Sequence, residues 1–149
     1  MDRKDGVVEV RTGRGLRTEI SVNRHVAVAD EPANFGGTDA GPTPYDYLLG
    51  ALGACTAMTV RMYADRKGWP LESLTVRLAH DRIHAEDCEN CETKKGRIDR
   101  VQHEIELTGA LDDAQREKLL EIAEKCPVRR TLTSEMLVEP YTVDRAGSA

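Results

Sequence analysis

The chain has 149 residues, 40% of them hydrophobic and 32% charged, and carries a net charge of −5 at neutral pH. That length supports a single domain over residues 1–149 with a modest core. The negative balance speaks against a nucleic-acid partner, because phosphate binding needs a basic patch that Arg129 and Arg130 alone do not make.

With one Phe, one Trp and four Tyr, the packing falls mainly to Leu, Val and Ala, which suits a chain that buries further surface against a second copy of itself. The opening stretch MDRKDGVVEVRTGRG has no apolar segment of the kind a secretory signal or membrane anchor requires, so a cytoplasmic protein is expected. In that reducing setting the four cysteines read as thiols for chemistry, metal or packing rather than as a disulfide scaffold.

In chain order, VVEVR, RTEISV and HVAVA, separated by glycines and by Asn23-Arg24, predict a small meander of strands. The Gly-, Pro- and Asp-rich DEPANFGGTDAGPTP is a loop of roughly a dozen residues, long enough for a binding or lid role. Thr43 then caps a helix whose first position is Pro44, with Asp46 returning the capping bond and facing the positive end of the dipole. The pattern runs to about Lys67, where Gly68 and Pro70 stop it. At ~1.5 Å per residue this is a rod of roughly 36 Å.

Tyr47 to Val60 contains no charge and is apolar or small all round, which predicts a helix buried on every side. The run is shorter than the ~20 residues of a bilayer span, so the burial is expected within protein. Gly50, Ala51, Gly53, Ala54 and Ala57 would let another backbone approach closely.

LTVRLAHDRIH, from Leu74 to His84, and RIDRVQHEIELT, from Arg97 to Thr108, alternate as strands around a charged turn and predict a long antiparallel hairpin. Leu111 to Lys125 is an amphipathic helix capped by Asp112 or Asp113, with Leu119, Leu120, Ile122 and Ala123 on its inner stripe. Pro127 opens a further short helical turn and leaves Cys126 as its cap. MLVEPYTV reads as a last strand, and residues 144–149 as a loose tail. The fold class is α+β: strand meander, long buried central helix, β-hairpin, second helix and final strand.

Two cysteines fall on helical elements. Cys55 lies more than two turns into its helix and gains little from the dipole, whereas Cys126 at a helix start would have its thiolate favoured. The plain alternative for either is an inert, buried thiol.

GPTPYDYLLGALGACTAMTV around Cys55 and KCPVRRTL around Cys126 resemble the osmotically inducible protein C and organic hydroperoxide resistance family (OsmC/Ohr). The order of elements matches over nearly the whole chain, and DEP, GG, GP-x-PY and YADRKGWPL resemble one subgroup of it. The resemblance implies an OsmC-like fold in an intertwined homodimer, with two long helices at its centre and the sites at the subunit interface. It implies a thiol-dependent peroxidase acting on small organic hydroperoxides, with no cofactor. Cys55 would be the peroxidatic residue that becomes a sulfenic acid, and Cys126 the residue that resolves it to a disulfide. A dithiol, in some relatives a lipoylated protein, would restore the thiols.

The family also uses an arginine from the early strands and a glutamate at the start of the long helix to hold the thiolate. Here the glutamate's place, ten residues before Cys55, is taken by Tyr45. Asp46 is the nearest acid but points half a turn away from Cys55 and serves better as a cap; Asp30 or Glu31 would have to swing in instead. Arg11, Arg14, Arg17 and Arg24 all lie in the early strands, of which Arg17 is the preferred partner, and His25 is a further ligand for a thiolate.

A second constellation, His80, His84, Cys88 and Cys91, has the spacing H-x3-H-x3-C-x2-C, with His80 and His84 on one strand face and His103 opposite. These donors would suit zinc. Its acidic neighbours favour surface residues and no metal. The competing function is therefore a dimeric relative without peroxidase chemistry, a ligand-binding or zinc-bearing module.

Overall fold

The computed structural model describes residues 6–143, so the predicted tail at 144–149 lies outside the described residues. The first three strands, β1 (Val8–Thr12), β2 (Thr18–Val22) and β3 (His25–Ala29), form an antiparallel meander in the order β1-β2-β3. Asn23, at φ 52°, supplies the left-handed residue that a two-residue hairpin between Val22 and His25 requires.

The loop that follows is ordered by one carboxylate. Asp30, only 2% exposed, accepts from the backbone NH groups of Glu31 (2.8 Å), Thr38 (3.1 Å) and Ala40 (3.2 Å) and from the Thr38 hydroxyl (2.6 Å). Gly37 completes the turn, because a Cβ there would collide with the Glu31 carbonyl. The Thr38 hydroxyl, opposed by burial and aided by the three NH groups, holds the Asp30 carboxyl down at about 2.

Helix α1 spans Pro44–Lys67. Its predicted start is present as a full capping box: Asp46 NH donates to Thr43 Oγ1 (3.2 Å) and Thr43 NH to Asp46 Oδ2 (2.9 Å). Gly68, in the left-handed region at φ 66°, ends it. The Tyr47 hydroxyl donates to the Val28 carbonyl at 2.6 Å and ties the helix to the meander.

Strands β4 (Ser73–His84) and β5 (Arg97–Thr108) pair over their full length, from Ser73 opposite Thr108 to His84 opposite Arg97. Helix α2 (Asp113–Ala123) takes Asp112 as its cap, and α3 (Pro127–Thr133) takes Cys126. The core gathers Val60, Ala64, Leu71, Leu111 and Leu119, closed by Tyr63, Trp69, Ile105 and Leu107. α1 therefore packs against the hairpin, α2 and α3.

Three expectations need correction. α1 is not buried all round: Leu52, Gly53, Thr56, Val60 and Ala64 face the core, but Leu48, Ala51, Ala54, Met58 and Met62 are exposed. One chain supplies packing partners for only one side of the rod. MLVEPYTV forms no strand, and Met136, Leu137, Val138 and Tyr141 lie exposed, because a strand needs an open sheet edge to pair with and none of this chain's takes it. On α2, Leu119 and Ile122 are buried, whereas Leu120 is half exposed beside a cavity.

The Asp30 network makes a prediction about acid stability. Because the folded carboxyl sits at about 2, against 3.8 for an ordinary one, its contribution is complete above the higher value and is lost as pH falls through the lower. Asp30→Asn should be less stable than the parent in urea unfolding at neutral pH, and the gap should close near pH 2. A gap that stays constant with pH would show that the charge is not what holds the loop.

Candidate functional site

Two cysteines separated by 71 positions meet where α3 begins against the middle of α1. Pro127 starts α3 without needing an NH partner, which leaves Cys126 at the cap with its sulfur turned into the core. There Cys126 is fully buried, and its sulfur receives the Arg129 NH at 3.5 Å and lies 4.0 Å from the Leu52 carbonyl. The Cys55 side chain comes near enough to act on the Cys126 thiol, and both residues are free thiols.

The electrostatics of Cys126 are a contest. Burial pushes its thiol up, but hydrogen bonds from Cys55, the Arg129 NH, the Thr56 hydroxyl and the Val128 NH favour the thiolate and win, so the net shift is downward. The cap position is the physical source of two of those bonds. Access runs the other way: Cys55 is half buried at the border between the packed and bare sides of α1, whereas Cys126 has no exposed surface.

Two cavities lie near this pair, both lined by Leu52, His103 and Arg129, and neither by Cys55 or Cys126. One, of about 250 Å³, lies between α1, the hairpin and α2 and is lined by Leu52, Thr56, Leu78, His103, Leu120 and Arg129. The other, of about 490 Å³, runs along the start of α1 past Tyr45, Leu48 and Leu52 toward His80, His103 and Arg129. Tyr45, Leu48, Leu52 and Cys55 recur at helical spacing, so the second cavity follows the stripe that leads to the thiol. The walls are mostly apolar, with Arg129 common to both.

Arg129 is the guanidinium that sequence reasoning missed. Its Nη2 pairs with Glu124 at 2.6 Å, and His103 Nε2 stands 3.7 Å from the same carboxylate. The signal was present in EKCPVRR, where Glu124 and Arg129 flank Cys126, but only the folded hairpin brings His103 to them. Arg17, in contrast, is exposed between β1 and β2, and its backbone carbonyl alone is engaged, by Thr12. His25 is likewise exposed, at the start of β3.

The acids considered for the thiolate are employed elsewhere. Asp46 is committed to the cap, where the Thr43 backbone NH and hydroxyl lower its carboxyl. Asp30 is occupied by its own loop. Tyr45 stacks on the His80 ring, with centroids 4.6 Å apart, and His80 Nε2 bonds Asp99 at 2.9 Å.

His80, His84, Cys88 and Cys91 do not converge. His84 is exposed at the end of β4, and Cys88 and Cys91 are joined as a disulfide, so neither offers a thiolate to a metal in this state. Among the described residues no group of three or more His, Cys, Asp or Glu is arranged to hold a metal ion. None of their helices is long and apolar enough to cross a membrane.

An α+β domain in which a long helix presents one cysteine to another at the head of a short helix defines an OsmC-like fold. Its solved relatives agree. An OsmC-like protein from Mycoplasma pneumoniae superposes with a TM-score of 0.68 at 18% identity, covering 89% of each chain. An organic hydroperoxide resistance protein from Legionella pneumophila gives 0.61 at 19%, over 86% of this chain and 88% of that one. The organic hydroperoxide resistance protein OhrB of Bacillus subtilis gives 0.59 at 18%, over 86% and 90%. No curated protein matches the sequence. The profile of OsmC-like proteins matches residues 37–140, and the chain belongs to that family.

The hydrogen bonds at Cys126 are testable without knowing a substrate. Thr56→Val removes one group that favours the Cys126 thiolate, and should move the pH midpoint of thiolate ultraviolet absorbance upward. Arg129→Lys keeps the backbone NH and should leave that midpoint close to the parent if the NH, rather than the guanidinium, is what the sulfur feels. A downward move in Thr56→Val would contradict the assignment.

Proposed function

We propose that the protein is a thiol-dependent peroxidase that reduces organic hydroperoxides. The observation that carries the reading is the approach of the Cys55 side chain to the buried Cys126 thiol across 71 positions of chain, in a family whose solved relatives include organic hydroperoxide resistance proteins.

Access rather than acidity gives the order of the two residues. Cys126 has no exposed surface, so the half-buried Cys55 is the thiol a peroxide can reach, although Cys126 carries the stabilising bonds. The Cys55 sulfur attacks the terminal peroxide oxygen; the O–O bond breaks, and the alkoxide takes a proton and leaves as the alcohol. Cys55 is then a sulfenic acid. The Cys126 thiolate attacks that sulfur, the S–S bond forms, the S–O bond breaks, and hydroxide leaves with a proton as water. An external dithiol, oxidised to its own disulfide, restores both thiols.

The apolar walls of the cavity along Leu48 and Leu52 receive the organic part of the peroxide and exclude water from the sulfur. Arg129, oriented by Glu124, supplies the positive group beside the pair. Tyr45 forms the wall of the entrance and Asp46 anchors the helix that carries Cys55.

One equivalent of an organic hydroperoxide added to the reduced protein should lower its mass by two hydrogens, with the bridge mapping to Cys55 and Cys126. Cys55→Ser should abolish peroxide consumption. Cys126→Ser should complete one turnover and leave a sulfenic acid that dimedone traps. Loss of the first turnover in both variants would contradict the order of attack.

A homodimer built on α1 is part of the same reading. Met58 and Met62, 65% and 70% exposed in the single chain, continue the bare stripe beside Cys55. Fully burying one such side chain is worth about 1.5–3 kcal/mol. The parent should sediment as a dimer, and Met58→Glu together with Met62→Glu should yield monomers with lowered peroxidase activity. A monomeric parent at micromolar concentration would exclude the interface.

A further inference from the structure

The hairpin of β4 and β5 ends in a loop that holds the other two cysteines. Cys88 and Cys91 are bonded to each other, with Cα atoms 5.5 Å apart, while Cys55 and Cys126 remain thiols. The four cysteines thus form two pairs in opposite redox states.

The bond at the tip is poorly placed to act as a structural staple. β4 and β5 already pair up to His84 and Arg97, the Ala85 NH donates to the Gly96 carbonyl at 2.8 Å, and the Cys88 NH closes a turn on the Ala85 carbonyl at 3.2 Å. A link between residues three apart closes a very short ring, and a short ring removes little freedom from the unfolded chain. Both residues are partly exposed, so a nucleophile from solvent can reach them.

The surroundings bias the pair toward the bonded form. Glu86, Asp87, Glu89 and Glu92 crowd the same stretch, and the first basic residue after them is Lys94. Carboxylates disfavour a neighbouring thiolate. A disulfide whose reduced form lacks thiolate stabilisation is a weak oxidant, so it opens only to a good dithiol.

It also stands apart from the first pair. The thiol site lies beside Leu52, whose cavity is walled by Leu78 and His103, and these two residues face each other six positions before the last rung of the hairpin. At ~3.4 Å per residue that is about 20 Å of strand, too far for sulfur exchange within one chain.

We propose that Cys88 and Cys91 are a second thiol–disulfide couple, exchanging two electrons with external dithiols independently of Cys55 and Cys126. A thiolate of the dithiol attacks one of the two sulfurs, the Cys88–Cys91 bond breaks, and a mixed disulfide forms. The second thiol of the reagent then attacks its own sulfur in that bond and releases the protein. Two electrons and two protons pass to the cysteine pair, and the reagent leaves as its cyclic disulfide.

The test uses the full-length chain carrying Cys55→Ser and Cys126→Ser, equilibrated in graded ratios of reduced to oxidised dithiothreitol, quenched in acid, labelled with N-ethylmaleimide and weighed. The expected result is a single transition that gains two labels together, with the far-UV spectrum retained and the melting temperature moved by less than about 4 °C. Where the double variant does not fold, the parent is labelled under the same conditions and the labels at Cys88 and Cys91 are read from peptide masses. Labelling of both cysteines in protein never exposed to reductant overturns the proposal. So does a bond that opens only when the fold is lost. Because neither readout involves peroxide, failure here is distinct from failure of the peroxidase reading.

Discussion

The candidate site depends on one approach, that of the Cys55 side chain to the buried Cys126 thiol. It exists because α1 docks through Leu52 and Thr56 against the head of α3, where Pro127 fixes the first turn and leaves a cysteine as the cap. Cap geometry sends the Arg129 and Val128 NH groups to the Cys126 sulfur, and the Thr56 hydroxyl adds to them. Burial alone would raise the Cys126 thiol; the hydrogen bonds around its sulfur reverse that balance. Loosening α3 would therefore raise the thiol and separate the pair together.

The long helix has two faces with different fates. The stripe through Leu52, Thr56, Val60 and Ala64 is consumed by the core of its own chain. The stripe through Leu48, Met58 and Met62 is apolar yet bare. Cys55 sits at the seam between them, half buried, close to Cys126 on the core side. A residue deeper on the packed face would be closed off from solvent, and one on the bare face would lie away from Cys126.

Charge is distributed so that few side chains are left for the site. Asp30 and Asp46 are spent on backbone NH groups that a loop and a helix start would otherwise leave without partners. Arg129 and Glu124, two turns of chain that flank Cys126, place an ion pair at the junction of both cavities. An Arg–carboxylate pair there combines a fixed orientation with a charge held next to apolar walls.

Local signals carried most of the architecture. The capping box at Thr43 and Asp46, Gly68 as the stop, the alternation of β4 and β5 and the cap role of Cys126 all follow from spacing and turn chemistry, which act over a few residues. Asp112 rather than Asp113 as the α2 cap was undecided because both have the same chemistry one position apart. Helix burial and the last strand were misread for another reason: an all-round apolar pattern and an alternating segment record that a surface is covered, not by which molecule. The sequence alone determined that two cysteines would stand on helical elements, one within a long apolar rod and one at a cap. Only the tertiary structure decided that they come together, that Arg129 pairs with Glu124 beside His103, and that Cys88 and Cys91 bond to each other. Contacts between residues distant along the chain arise from how whole elements pack, which no local pattern encodes.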